Sequence, residues 1–162
     1  MKELPKNQLN PKIKIVWRIT DAIWLTFAFL CALGFLAAIY YDVGGSGALI
    51  ALLVFCALYV ICMILFLVII PPIRFIRWRY ELHHDFLDIA RGIIWRKRFI
   101  IPFIRVQNTD TRQGPILRAF GLASVTVSTA AGGHEIPGLD NELAEQLRDK
   151  AAELARIAQE DV

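Results

Sequence analysis

A pair of membrane-spanning helices joined by a tight turn, followed by a small α+β domain of antiparallel strands closed by one C-terminal helix, is the fold class this 162-residue sequence predicts. Three observations predict it. Between Ala22 and Ile73 the only acidic or basic side chain is Asp42; from Tyr80 onward apolar residues alternate with polar ones; and after Asp140 apolar residues recur at three- and four-residue steps.

Residues 1–18 form a basic arm carrying Lys2, Lys6, Lys12, Lys14 and Arg18. Pro5, Pro11 and the lack of periodicity predict an irregular segment near lipid headgroups over residues 1–15. The hairpin occupies residues 19–73, with spans at about 20–41 and 48–70. Each supplies the roughly 20 apolar residues, at about 1.5 Å rise, that a hydrocarbon core of about 30 Å requires. Asp42 to Gly47, rich in glycine, reads as a water-facing turn, and Pro71-Pro72 is expected to close the second span. A cleaved signal peptide also starts with a basic region before an apolar run, but its apolar core is shorter and no second span follows it.

Lysines and arginines precede the first span and follow the second, while the turn has none, so the positive-inside bias predicts a multi-pass protein of the cell membrane with both termini cytoplasmic. Trp17, Trp24, Tyr40, Tyr41, Arg74, Arg77 and Trp78 flank the spans and read as membrane-interface anchors. Ala28, Ala32, Gly34 and Ala38 make small-xxx-small spacings, which fit either close helix approach or the ordinary composition of membrane helices.

The mean hydropathy of +0.48 is high for a soluble domain, and the net charge of +3 conceals a division. Residues 140–162 carry seven acids against three cations, whereas the segments before them are basic, so the total is no argument for nucleic acid. Cys31, Cys56 and Cys62 all fall within the spans, which leaves neither a disulfide framework nor a zinc spacing in the polar part.

Strands are predicted near residues 79–84, 86–91, 93–101, 103–111, 123–130 and 133–137. Gly114 to Leu122 breaks the alternation and predicts a short helix or a loop that plugs the sheet end. A helix over residues 140–159 follows, with Leu143, Leu147, Ala151, Leu154 and Ala158 on one stripe and Glu142, Glu145, Asp149, Glu153 and Arg156 opposite. Such a helix lies on a sheet or covers the end of a partly open barrel, here within a domain of residues 74–162.

Chemistry-bearing clusters are sparse. His83-His84-Asp85 reads as a polar hairpin turn, because neighbouring strand residues point to opposite faces and cannot grip one ion together. His134 stands beside Glu135 without a nucleophile motif, and Ser124, Thr126, Ser128 and Thr129 share one strand with no triad partners. Arg96-Lys97-Arg98 is the densest cationic run and reads as a solvated hairpin or a contact for anionic lipid. Arg105, Arg112 and Arg118 are read as structural donors or as a set converging on an acidic peptide or headgroup.

Trp78-Arg79-Tyr80-Glu81-Leu82, Ala90-Arg91-Gly92-Ile93-Ile94, Ile101-Pro102-Phe103-Ile104-Arg105-Val106-Gln107, the segment from Gln113 to Leu122, and Ser128-Thr129-Ala130 together resemble the bacterial pleckstrin-homology-like (PH-like) domain of YdbS-like membrane-flanked proteins. The resemblance spans about residues 70–150 and implies a PH-like fold, a barrel of strands with a C-terminal helix across one end. It implies a membrane-associated, non-catalytic interaction or assembly module and carries over no ligand. Apart from the resemblance, no cofactor or metal is expected, and the expected partners are membrane lipid, another membrane protein or a second copy of the chain, with no nucleic acid. A single domain, where longer relatives carry tandem copies, favours self-association if pairing is needed. A small oligomeric transport or channel component is the rival class, and the spans lack the intramembrane charges that usually mark one.

Overall fold

The computed structural model describes residues 4–43 and 46–160. The chain divides into two units, one of Met1–Val16 with Ile73–Val162 and the other of Trp17–Pro72. The expected turn therefore falls partly outside the described residues, at Gly44-Gly45.

The apolar unit is helical. Helix α1 runs Ile13–Val43, and α2 runs Ser46–Ile64 and continues through a π-helical turn, Leu65–Ile69, into α3, Ile70–Arg77. Two stretches, Ile13–Tyr41 and Leu49–Arg77, are long and apolar enough to cross a membrane, and none of their most apolar segment is buried within the protein. At 29 residues each they extend about 43 Å, more than a hydrocarbon core of about 30 Å. Phe29 stacks on Phe55 and Tyr59 with ring centres 5.2 and 4.1 Å apart, and Thr26 Oγ1 and the Tyr59 hydroxyl share a hydrogen bond of 3.1 Å. Gly34 is not a point of close helix approach: a Cβ added there would meet nothing within 4 Å.

Pro71-Pro72 does not end the second helix, contrary to the sequence expectation, since α3 carries it to Arg77. The two prolines offer no N–H to the carbonyls one turn back, and their rings crowd those carbonyls. The π turn directly before them, in which the Ile70 N–H donates to the Leu65 carbonyl, widens the helix at that point and absorbs the misfit.

The second unit contains two antiparallel sheets and a helix. Strands β1 (Asn7–Gln8), β2 (Arg79–Leu82), β3 (Phe86–Arg91) and β4 (Lys97–Pro102) form the first sheet in that order, and β5 (Val106–Arg112), β6 (Leu122–Thr129) and β7 (Gly132–Asp140) form the second. A 3₁₀ turn at Phe103–Arg105 replaces the first residues of the strand predicted at 103–111, with Phe103 wholly buried, and β4 starts four residues later than predicted. The short α4, Pro115–Ala119, fills the break before β6 and ends at Gly121, whose φ of +67° is a left-handed helix terminus that glycine tolerates. The final helix α5, Asn141–Glu160, buries Ala144, Leu147, Ala151 and Ala155 on β5 and β6. Tyr80, Leu87, Ile89 and Ile101 of one sheet and Leu122, Val125, Val127 and Ile136 of the other make the core.

The N-terminal arm differs most from expectation. It is ordered from Pro5, which is buried, and it clasps both sheets. Asn7 and Gln8 pair with Tyr80 and Arg79 of β2, the Asn10 N–H donates to the Gly138 carbonyl of β7 at 2.9 Å, and Asn10 Nδ2 donates to Asp140 Oδ1 at 2.7 Å. Two residues of pairing are too few to print a period, which is why the strand is silent in the sequence. Ile13 then packs on bare backbone: a Cβ at Gly138, where φ is +64°, would lie 2.5 Å from the Ile13 side chain. Gly138→Ala is expected to destabilise the full chain by about 2–4 kcal/mol through the positive φ and the overpacking. Gly114→Ala, with open space at its Cβ, should change stability by less than about 0.5 kcal/mol; equal effects in thermal unfolding in detergent would refute this account of the clasp.

Candidate basic site

Strands β3 and β4 pair so that Arg91 faces Lys97, Ala90 faces Arg98 and Asp88 faces Ile100. Two like charges directly opposite each other in an antiparallel pair repel. The connection between them, Gly92 to Arg96, is tight. Gly92 takes φ +120°, and a Cβ there would stand 2.0 Å from the Trp95 carbonyl oxygen, so only glycine closes this turn. Arg77, at the end of α3, donates to the Ile93 carbonyl at 2.8 Å and fixes the turn from outside. At the tip, Ile94 and Trp95 are 84% and 81% exposed.

Two adjoining concavities share Arg91, Gly92 and Lys97. One, of about 310 Å³, adds Arg74, Trp78, Ile93 and Trp95. The other, of about 420 Å³, adds Arg77, Arg79, Arg96 and Arg98 with Leu4, Ile76 and Ala90. Among the described residues seven cations thus line a continuous surface, and no carboxylate lines either concavity. Arg91 lies over the Phe99 ring at 5.0 Å, and Phe99 in turn meets His134 with ring centres 4.8 Å apart. Burial first, and Arg91 second, hold the His134 imidazole below its usual titration range. His134 therefore favours the neutral form and adds little positive charge to the site.

The sequence-predicted cations separate into groups. Arg96 and Lys97 are exposed at the site. Arg98 is committed elsewhere: it forks onto Asp88, with Nε 3.0 and 3.1 Å from the two carboxylate oxygens and Nη2 2.6 Å from Oδ2. The Asp88 side chain is 2% exposed and that of Arg98 is 32% exposed, so Arg98 compensates a buried carboxylate while still bordering the concavity. The hydrogen bond to Asp88 raises the already high Arg98 pKa further. Arg105 and Arg112 do not converge. Arg105 ends the 3₁₀ turn just before β5 and Arg112 ends β5, about 20 Å apart at strand rise, because the extended strand separates them. Arg118 lies exposed on α4. In the same region Gln113 Nε2 bridges the Leu122 carbonyl and Asn141 Oδ1 at 2.9 and 2.8 Å, a tie that carries no sequence signal.

The expected interface anchors divide as well. Trp17 and Trp78 are buried within the protein, at 8% and 4% exposure, whereas Trp24, Tyr40 and Tyr41 are exposed. His84 bonds Asp85 at 2.7 Å in the β2–β3 turn, and His83 stacks on Phe86, which makes this cluster a hairpin turn.

Comparison with known proteins places this geometry in context. The bacterial PH domain family matches residues 22–155, including most of both apolar helices. The chain belongs to that family. It is also 39% identical over 165 residues to the UPF0699 transmembrane protein YdbS of Bacillus subtilis (strain 168), covering all of both chains. No solved structure matches. As a family member with two long apolar helices, the chain is a membrane protein carrying a PH-like domain.

Removing Arg98 leaves Asp88 as an unpaired buried charge. Arg98→Met is expected to lower the midpoint of denaturant unfolding, by less than the loss of a fully buried pair would because the guanidinium is wet. Adding Asp88→Asn should restore part of the loss in denaturant unfolding; a double variant less stable than Arg98→Met alone would contradict the assignment.

Proposed function

We propose that this protein is a non-catalytic, multi-pass component of the cell membrane, with both termini cytoplasmic, whose PH-like domain is an interaction module for an anionic group. The observation that carries this reading is Arg91 held opposite Lys97 on a surface that no carboxylate lines among the described residues. Such a pair is in conflict until an anion sits between its members. Arginine remains protonated at physiological pH, so a site built chiefly of guanidinium groups and aromatic rings binds charge and does not exchange protons. The anchoring helices keep the domain at the membrane, where a weak affinity suffices because the local concentration is high.

Glycerol phosphate, added at constant ionic strength to the full chain in neutral phosphatidylcholine nanodiscs, should raise the unfolding temperature by mass action. The Arg91→Glu, Lys97→Glu double variant should lose that response; an equal shift in both proteins would remove the site from the proposal. For topology, Gly47→Cys on a background with Cys31, Cys56 and Cys62 replaced should react with a membrane-impermeant maleimide on intact cells. Lys150→Cys on the same background should react only after lysis, and the reverse pattern would overturn the orientation.

A further inference from the structure

We infer that the Gly92–Arg96 turn is a second, reversible point of membrane attachment: Ile94 and Trp95 enter the interface of an anionic bilayer while Arg91, Arg96 and Lys97 hold lipid phosphates. This deepens the proposed function and rests on its anion site.

The turn carries the wrong residues for a solvated hairpin. Connections of this kind favour Gly, Asn, Asp and Ser, yet here an isoleucine and a tryptophan stand at the tip with most of their surface in water. Among the described residues no other large apolar side chain of the PH-like unit is as exposed; Leu4 at 69% and Ile76 at 61% come next, and both border the larger concavity. Neither tip residue packs into the core, so folding does not require them to be apolar. The loop is also preformed. Gly92 admits no side chain against the Trp95 carbonyl, and Arg77 holds the Ile93 carbonyl, so little conformational freedom remains to be lost on binding.

The chemistry around the tip selects the occupant. A tryptophan beside arginine and lysine is the pairing that membrane interfaces favour, with the ring at headgroup depth and the cations on phosphate. The chain itself supplies proximity. Arg77, which grips the turn, is the last residue of the apolar stretch Leu49–Arg77. It follows Ile70 by seven residues, about 10 Å of helix. An acidic surface, such as the outer face of α5 in a second copy, is the competing occupant.

The test labels Ile94→Cys with the fluorophore NBD in the full chain, on the background lacking Cys31, Cys56 and Cys62, with Trp95 intact. The protein is placed, one copy per disc, in nanodiscs of phosphatidylcholine alone or mixed with phosphatidylglycerol. The expected result is a blue-shifted emission and a several-fold fall in acrylamide quenching in the anionic disc alone. Both effects should be reversed by Lys97→Glu or Arg96→Glu, exposed positions whose variants are checked for folding by circular dichroism. Glycerol phosphate in the neutral disc should leave the probe in water, which separates lipid from free phosphate. A probe equally exposed in both discs overturns the inference. If glycerol phosphate still stabilises the protein the anion site survives that result, and if it does not, both readings fall. Protection that appears only with two copies per disc overturns the inference in favour of a second chain.

Discussion

The register of β3 against β4 is the constraint on which the basic site depends, and the fork between Arg98 and Asp88 pins it. The two residues lie diagonally across the strand pair on one face, two positions from direct opposition. A slip of one residue would turn Phe99 and Ile101 out of the core and carry Lys97 to the other face. It would also strand Asp88, which stands directly opposite Glu81 of β2 and relies on Arg98 for its nearest cation. With the register fixed, the opposition of Arg91 and Lys97 across the strand pair becomes a property of the fold.

A second constraint is the grip of the PH-like unit on the chain ends that lead to the apolar helices. Helix α1 starts at Ile13, buried on the backbone of Gly138, and α3 ends at Arg77, hydrogen-bonded to Ile93. Lys14 lies over the Phe75 ring at 4.8 Å, so the first turn of one helix touches the last turns of the other within the same unit. The arm that the sequence presents as a loose basic tail is thus the element that closes the domain. Burial first, and Asp140 second, raise the Tyr80 phenol pKa, which locates the meeting of arm, β2 and β7 away from water.

What was legible in the sequence followed the strength of its periodic signal. The long patterns gave both apolar helices, β3, β6 and α5. These strands and α5 appear within one residue of their predicted bounds, while α1 starts and α3 ends seven residues beyond the predicted spans. Strand β3 is buried on both faces, and Ala144 and Ala155 rather than Leu143 join the buried stripe of α5. Features set by one or two residues were not legible. The β1 pairing spans two positions, and the π turn arises from a conflict between two prolines and an uninterrupted apolar run. The cationic run at 96–98 looked uniform because a charge does not announce its partner. Only the fold brings Asp88 to Arg98 and leaves Arg96 and Lys97 exposed. Conversely, Arg105, Arg112 and Arg118 looked like a set because they are near in sequence, and an extended strand keeps two of them far apart.

The local rules of folding are broken repeatedly at one place. Like charges face each other at Arg91 and Lys97, and the turn that joins their strands carries the two most exposed large apolar side chains of the unit among the described residues. Each departure works against the stability or solubility of the free domain, and each is removed by the same surroundings: phosphates for the cations and an interfacial layer for the rings. A bilayer supplies both at once, whereas a soluble anion satisfies only the charges and an apolar protein groove only the rings. Conflicts that cluster and share a remedy are the mark of a binding site rather than of a tolerated defect. This common remedy makes the β3–β4 turn a stronger candidate than any other charged cluster among the described residues.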